Sequence, residues 1–459
     1  MWYKGFFNYF TVMLSIILSL GFAQEKIKAA ECPCDIYASG GTPCAAAHST
    51  TRALYGDYTG PLYQIRRVSD NKTMNIYPEV AGGVANTTPQ DTFLKNTSGR
   101  ISIIYDQSPN HNDLTKGNGH WGPVDTEAVA TEGQIKLNGH RVFGVYTHDG
   151  WSPAPGVGYR NNNTKGMPTG NASEGLYMVC DAKRYNQWCC FDYGNAQTNG
   201  EASGAGIMEC IYYGSSTQFN KCGGNGPWVC NDMEFGMTCG AHLSDTSNHS
   251  IHVDTINFLT AYIKGGAHPG RPDTNFHCIK AGDAQKGKLE VHYAGPRDAK
   301  AGYYPLKLQG AIILGTGGDN SHSGIGTFYE GCIVKGCPYD SIDDKVHENI
   351  RAAGYGRQTE IVSVKPFKAS VKKSSILSLD YNPSNSNIIV SYNLQSPRQV
   401  KMNFINQQGK RIATIDAGLV PAGKHITTWN AKHLPAGVYV CWASIEGMPS
   451  SAGRITIGK

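Results

Sequence analysis

Ile388-Ile389-Val390-Ser391-Tyr392-Asn393-Leu394 places an apolar side chain at every second position, and Val400, Met402 and Phe404 repeat the pattern a few residues on. A period of two belongs to a strand with one buried face, because successive side chains leave a pleated backbone on opposite sides. Turn chemistry separates the runs at Gln407-Gln408-Gly409-Lys410, Pro421-Ala422-Gly423 and Pro435-Ala436-Gly437. Between these turns lie Ile412 and Ile415, then Ile426 to Trp429, then Val438, Val440 and Trp442. Short strands at this interval predict a small two-sheet β-sandwich over residues 375–459.

Working outward, residues 356–374 include Lys365-Pro366, Lys368 and Lys372-Lys373 with little apolar periodicity, which predicts a linker. Most of the chain precedes it. With 55 Gly and 25 Tyr among 459 residues and 17% charged, the chain as a whole reads as loop-rich and all-β. From Arg357 onward 13 Lys/Arg face four Asp/Glu, so the overall charge of +5 conceals a mildly acidic body. Such a body does not read as a nucleic-acid binder, and the scattered basic charges of the tail suit a solvated face.

The first residues predict export. Lys4 precedes an apolar run from Phe10 to Leu20, and Gly21 and Ala23 set a cleavage point before Gln24, giving a signal peptide over 1–23. The run is too short to cross a bilayer. All 14 cysteines follow the cut, so an oxidising compartment would leave most of them bridged. Cys34 with Cys44, and Cys332 with Cys337, are near enough in sequence to clip local loops. Adjacent Cys189 and Cys190 could bond to each other through a tight ring that leaves a rigid apolar edge, or each could pair elsewhere or stay a buried thiol.

Two stretches carry candidate acids. In Trp228-Val229-Cys230-Asn231-Asp232-Met233-Glu234, a strand continuing to the end would send Trp228, Cys230, Asp232 and Glu234 to one face. Neighbouring carboxylates raise one another's proton affinity, which suits acid-base work and also occurs on ordinary strand edges. In Gly317-Gly318-Asp319-Asn320, after the strand Ala311-Ile312-Ile313-Leu314, an aspartate sits at a glycine-rich turn where backbone can approach a ligand, or where it merely caps the turn. Asp106, Asp192, Glu209 and Glu330 compete on equal terms by pattern alone.

From about Cys34 to Ala353 the chain resembles the catalytic domain of the family-54 α-L-arabinofuranosidases. The likeness runs through Cys34-Asp35-Ile36-Tyr37, Thr42-Pro43-Cys44, Ala47-His48-Ser49-Thr50-Thr51-Arg52, Ile103-Ile104-Tyr105-Asp106-Gln107-Ser108 and Gly158-Tyr159-Arg160-Asn161-Asn162. It continues through Cys189 to Asn195, Gly226-Pro227-Trp228, Asp232-Met233-Glu234, Gly310 to Asn320 and Thr327-Phe328-Tyr329-Glu330-Gly331. The resemblance implies a jelly-roll-like β-sandwich over 32–355, with Glu234 as nucleophile, Asp319 as general acid/base, and Asp232 and Gly318 contacting the sugar. It implies a vicinal Cys189–Cys190 disulfide in the sugar pocket and a Cys34–Cys44 bridge. It requires no metal or cofactor.

Departures from the family pattern bear on the substrate. Phe235-Gly236 stands where the family has two asparagines, and Phe219 where it has a pocket tryptophan. Leu94 and Gly99 replace a cysteine pair, while Cys332 and Cys337 are gained together, as a new bridge would require. The last 85 or so residues resemble immunoglobulin-like sorting modules of secreted bacterial enzymes through Asn382-Pro383-Ser384, Gln408-Gly409-Lys410 and Leu434-Pro435-Ala436-Gly437-Val438-Tyr439.

The resulting expectation is a secreted or cell-surface bacterial enzyme, a monomer. It would be a retaining, exo-acting α-L-arabinofuranosidase trimming plant cell-wall arabinoxylan or arabinan, with the C-terminal domain serving secretion or attachment machinery. A β-xylosidase or other furanosidase of the same fold, and a non-catalytic carbohydrate-binding sandwich, are the alternatives.

Overall fold

The computed structural model describes residues 31–118, 124–148, 155–218, 222–242, 245–268, 270–357, 377–382, 386–394, 396–405, 411–435, 437–445 and 451–457. The expected signal peptide, most of the expected linker and Phe219 lie outside these residues. The chain divides into two compact units, one ending at Glu360 and one beginning at Ile361.

In the larger unit two antiparallel seven-stranded sheets dominate. The first runs Cys44–Ser49, Gly326–Lys335, Glu174–Asp181, Phe258–Gly265, Phe276–Asp283 and Glu290–Pro296, with Val145–Thr147 also paired to Gly326–Lys335. The second runs Met237–Thr238, Trp228–Asp232, Glu209–Gly214, Asp192–Ala196, Ala311–Leu314, Tyr159–Asn161 and Thr115–Lys116. Tyr193, Ile211, Tyr213, Val229, Ile312 and Leu314 of the second sheet share one buried cluster with Tyr177, Ile263, Ile279 and Phe328 of the first. Tyr193 and Phe328 pack with ring centroids 5.0 Å apart. Residues alternating with these, among them Cys210, Tyr212, Trp228, Cys230 and Ile313, fall in separate clusters and so define the sheet's outer face.

The helix Asp340–Ala352 turns Ile342, Val346 and Ile350 inward at four-residue spacing. Its first turn carries Asp340 and Asp343, and both meet buried lysines of the first sheet. Lys264 Nζ lies 2.7 Å from Asp343 Oδ2, and Lys280 Nζ lies 2.6 Å from Asp340 Oδ1.

Cys34 and Cys44 are bridged. Cys332 and Cys337 are not, which overturns the expected pair: both are buried free thiols. The strand Gly326–Lys335 continues three residues past Cys332, so extended backbone carries the chain about 10 Å onward before it turns. A disulfide needs Cα atoms closer than about 7 Å. Cys332 instead brings its sulfur within 4.8 Å of Cys34 and Cys44. Cys222 and Cys239 form a bridge that spacing could not single out. Leu94 packs onto Gly99, where a Cβ would lie 2.7 Å from the leucine methyl, so an apolar contact fills the place of the missing cysteine pair.

The smaller unit has a three-stranded sheet, Leu377–Asn382, Asn387–Leu394 and Gly423–Asn430, and a four-stranded one, Arg411–Val420, Arg398–Ile405, Gly437–Ile445 and Ser451–Ile457. Ile388, Val390, Tyr392 and Leu394 are buried together with Val400, Met402 and Phe404, following the alternation in the sequence. Ile426 points outward, 71% exposed.

Candidate active site

Three loops meet on the outer face of the second sheet, each leaving or entering one of its strands. The first brings Cys189 and Cys190 to the start of Asp192–Ala196. The pair is bridged across a cis peptide bond. The second follows Trp228–Asp232. Contrary to the strand expectation, regular pairing ends at Asp232, and Glu234 is reached through a left-handed turn with φ of 69° at Glu234 and 57° at Phe235. Backbone of this kind in non-glycine residues persists only where surrounding contacts hold it. One such contact is the Glu234 amide, which donates to Asp232 Oδ1 at 3.0 Å. The third loop leaves Ala311–Leu314 and carries Gly317, Gly318 and Asp319.

That last loop is tied on both flanks. Arg160 Nη1 donates to the Gly318 carbonyl at 2.8 Å, the Ser321 amide donates to Asp319 Oδ1 at 2.8 Å, and the Gly317 amide donates to the Ser321 carbonyl at 2.7 Å. Beneath it His322 Nδ1 lies 2.8 Å from the buried Asp125 carboxylate. Gly318 is obligatory here for want of room: a Cβ would stand 2.9 Å from Glu234 Oε2 and 2.8 Å from Met208 Sδ.

The loops enclose a cavity of about 300 Å³, within small-molecule dimensions. Cys189, Cys190, Asp232, Glu234, Phe235, Gly318 and Asp319 all line it. Cys190 Sγ lies 3.8 Å from Asp232 Oδ2, and Ser321 Oγ lies 3.7 Å from Cys190 Sγ. Gly236 lines it as well, and Trp188, Gln218, Met237, Ser321 and Ser323 complete the lining. Sequence reading missed these five; only Ser321, two residues beyond Asp319, sat where an Asx turn would place it.

The electrostatics are those of crowded acids. Burial, then the Asp232 and Asp319 carboxylates, push Glu234 up to about 8, against the opposing pull of the Phe235 amide. Burial first, with Asp319 adding to it, raises Asp232 to about 6 although the Glu234 amide favours its anion. Asp192, fully buried behind them, is held well above the carboxylate range by burial and then by Asp232. The cluster therefore keeps at least one proton near neutral pH, and that proton belongs to the set rather than to one member.

Three of the four competing acids are occupied elsewhere. Asp106 accepts from the Ala47, Ser108 and Asn112 amides, Glu330 pairs with Arg52 at 2.6 Å, and Glu209 pairs with Arg297 at 2.6 Å. Among the described residues, three groups of cysteines and acids bring ligand-type atoms within 4.8 Å of one another. Each contains a bridged cysteine pair, and a disulfide sulfur lacks the thiolate that binds a metal.

Fold and cavity together define an all-β sandwich protein with a carboxylate-lined site floored by a vicinal disulfide. The particular family follows from comparison: residues 33–356 match the family described as alpha-L-arabinofuranosidase B, catalytic, and the chain belongs to it. The chain is 45% identical over 347 residues to the probable alpha-L-arabinofuranosidase B of Aspergillus clavatus, covering 74% of this chain and 66% of that protein. It is 46% identical over 356 residues to alpha-L-arabinofuranosidase B of Emericella nidulans, with 76% and 66% covered. A solved arabinofuranosidase complexed with arabinofuranosyl-alpha-1,2-xylobiose superposes with a TM-score of 0.68 at 41% identity, over 80% of this chain and 73% of that one. This chain thus spans 66% of the length of those two curated relatives.

Proposed function

We propose that the protein is an exo-acting α-L-arabinofuranosidase that removes terminal arabinofuranosyl groups from arabinoxylan or arabinan with retention of configuration. The observation that carries this reading is the convergence of Glu234 and Asp319 on one cavity, with the Cys189–Cys190 bridge and Asp232 beside them. Retaining hydrolysis uses two carboxyl groups about 5 Å apart. Glu234 attacks the anomeric carbon, Asp319 protonates the departing oxygen, and a covalent arabinosyl-enzyme forms. Asp319 then takes a proton from water as that water displaces Glu234. The chemistry needs one ionised and one protonated carboxyl, and the proton retained by the cluster supplies the second. The mechanism requires Asp319 to be the donor to the glycosidic oxygen while Glu234 is ionised. The bridged cysteines offer an apolar surface to the sugar ring, and Asp232 accepts from its hydroxyls.

Hydrolysis of a chromogenic α-L-arabinofuranoside by the wild type, with Glu234→Gln and Asp319→Asn inactive, is the expected result. Normal turnover by either variant would falsify the roles. A second reading, a β-xylosidase or other furanosidase, is favoured by Phe235-Gly236, which removes amide side chains from the pocket; cleavage of xylopyranosides alone would establish it. Binding without turnover would leave a carbohydrate-binding sandwich.

Export rests on the basic and apolar residues at the start of the chain, and a bacterial source on the sorting-type strings of the smaller unit. On this reading the smaller unit engages secretion or surface machinery and the enzyme acts as a monomer. Edman sequencing of the secreted protein, with Gln24 first, and its elution volume test these points.

A further inference from the structure

Phe235 is 65% exposed, yet it lines the cavity, so its ring stands at the rim. Its position is set by the same turn that presents Glu234. The Phe235 amide donates to Glu234 Oε1 at 3.3 Å, and φ is positive at three successive residues, 69°, 57° and 151° for Glu234, Phe235 and Gly236. The backbone that carries the ring is therefore held next to the Glu234 carboxylate. Gly236 also lines the cavity and puts no side chain beside it.

A ring at the rim of an acid-lined pocket faces whatever protrudes from it. If the arabinofuranosyl group occupies the interior, the protruding part is the sugar to which it is linked. An exposed aromatic face gains by covering the C–H face of a flat ring. The carboxylates of Asp232, Glu234 and Asp319 around it disfavour an anionic partner.

We propose that Phe235 is a platform for the leaving-group side of the substrate, selecting arabinofuranosides attached to a neutral pyranose ring over those attached to a small alkyl group. This rests on the hydrolase reading above.

The test measures kcat/KM for an arabinofuranosyl xylo-oligosaccharide and for methyl α-L-arabinofuranoside in wild type, Phe235→Ala and Phe235→Trp. The wild type is expected to prefer the oligosaccharide. That preference falls about tenfold in Phe235→Ala, mainly through KM, and Phe235→Trp restores it to within about threefold. A preference unchanged in Phe235→Ala, or a loss shared equally by both substrates, overturns the platform. A wild type that hydrolyses neither substrate overturns the hydrolase reading and the platform with it, and this is seen before any variant is compared.

Discussion

Asp232 and Glu234 are joined through the backbone as well as by charge: the Glu234 amide donates to Asp232 Oδ1 at 3.0 Å, while the Asp232 carboxylate raises the proton affinity of Glu234. Asp232 is thus both a neighbour in the pocket and the clamp on the turn that aims Glu234. Hydrogen bonds to a charged group contribute roughly 1.5–3 kcal/mol. Asp232→Ala is expected to lower kcat/KM on a chromogenic arabinofuranoside by roughly 10- to 100-fold. A change under about twofold would mean that the turn holds itself.

Gly318 leaves no room for a methyl group. Its Cβ would stand 2.9 Å from Glu234 Oε2, so Gly318→Ala must displace the carboxylate or the loop carrying Asp319. Misplacement by about 1 Å can cost roughly 100-fold in rate. The expected outcome is a loss of that order with an unchanged far-ultraviolet circular dichroism spectrum. Full activity would show that the loop yields without harm.

The pH dependence follows from crowding. Glu234 stands at about 8 in the folded protein against an ordinary 4.5, so folded protein holds this proton more tightly than unfolded chain. Its contribution to stability is complete below the ordinary value and is lost as pH rises through about 8. Glu234→Gln, which cannot ionise, should therefore raise Tm relative to wild type, by more at pH 9 than at pH 5. Equal shifts at both pH values would contradict the cause assigned here. In the wild type, kcat/KM should fall on the alkaline side near pH 8, where the proton that Glu234 shares with its neighbours is lost.

Cysteine chemistry separates the two local pairs. Cys34→Ser opens a bridge and should lower stability by about 2–4 kcal/mol in urea unfolding. Iodoacetamide labelling of the denatured, unreduced protein should modify both Cys332 and Cys337, since both are free thiols. Protection of both from the reagent would restore the bridge expected from their spacing.

Much of the smaller unit was legible from alternation, because a strand with one wet face records that face at every second residue; Val390 and Met402 are buried where the pattern puts them. Strands of the second sheet are covered on both faces, so Trp228–Asp232 is buried throughout and shows no alternation. There the family resemblance, not periodicity, singled out Glu234 and Asp319. Cavity-lining Trp188, Gln218 and Ser323 carried no local signal, since a residue becomes part of a wall only through what folds opposite it. The Cys332 and Cys337 spacing misled for a related reason: sequence distance says nothing of an intervening strand that keeps the chain extended.

By itself the sequence determined the all-β class and the family, because composition, strand periodicity and dense local strings are properties of neighbouring residues. Only the tertiary structure decided that Glu234 leaves the strand through a left-handed turn, that Gly318 has no space for a side chain, and which cysteines meet. Those outcomes depend on contacts between segments 80 or more residues apart in the case of Glu234 and Gly318, and no local pattern encodes the distance across which they close.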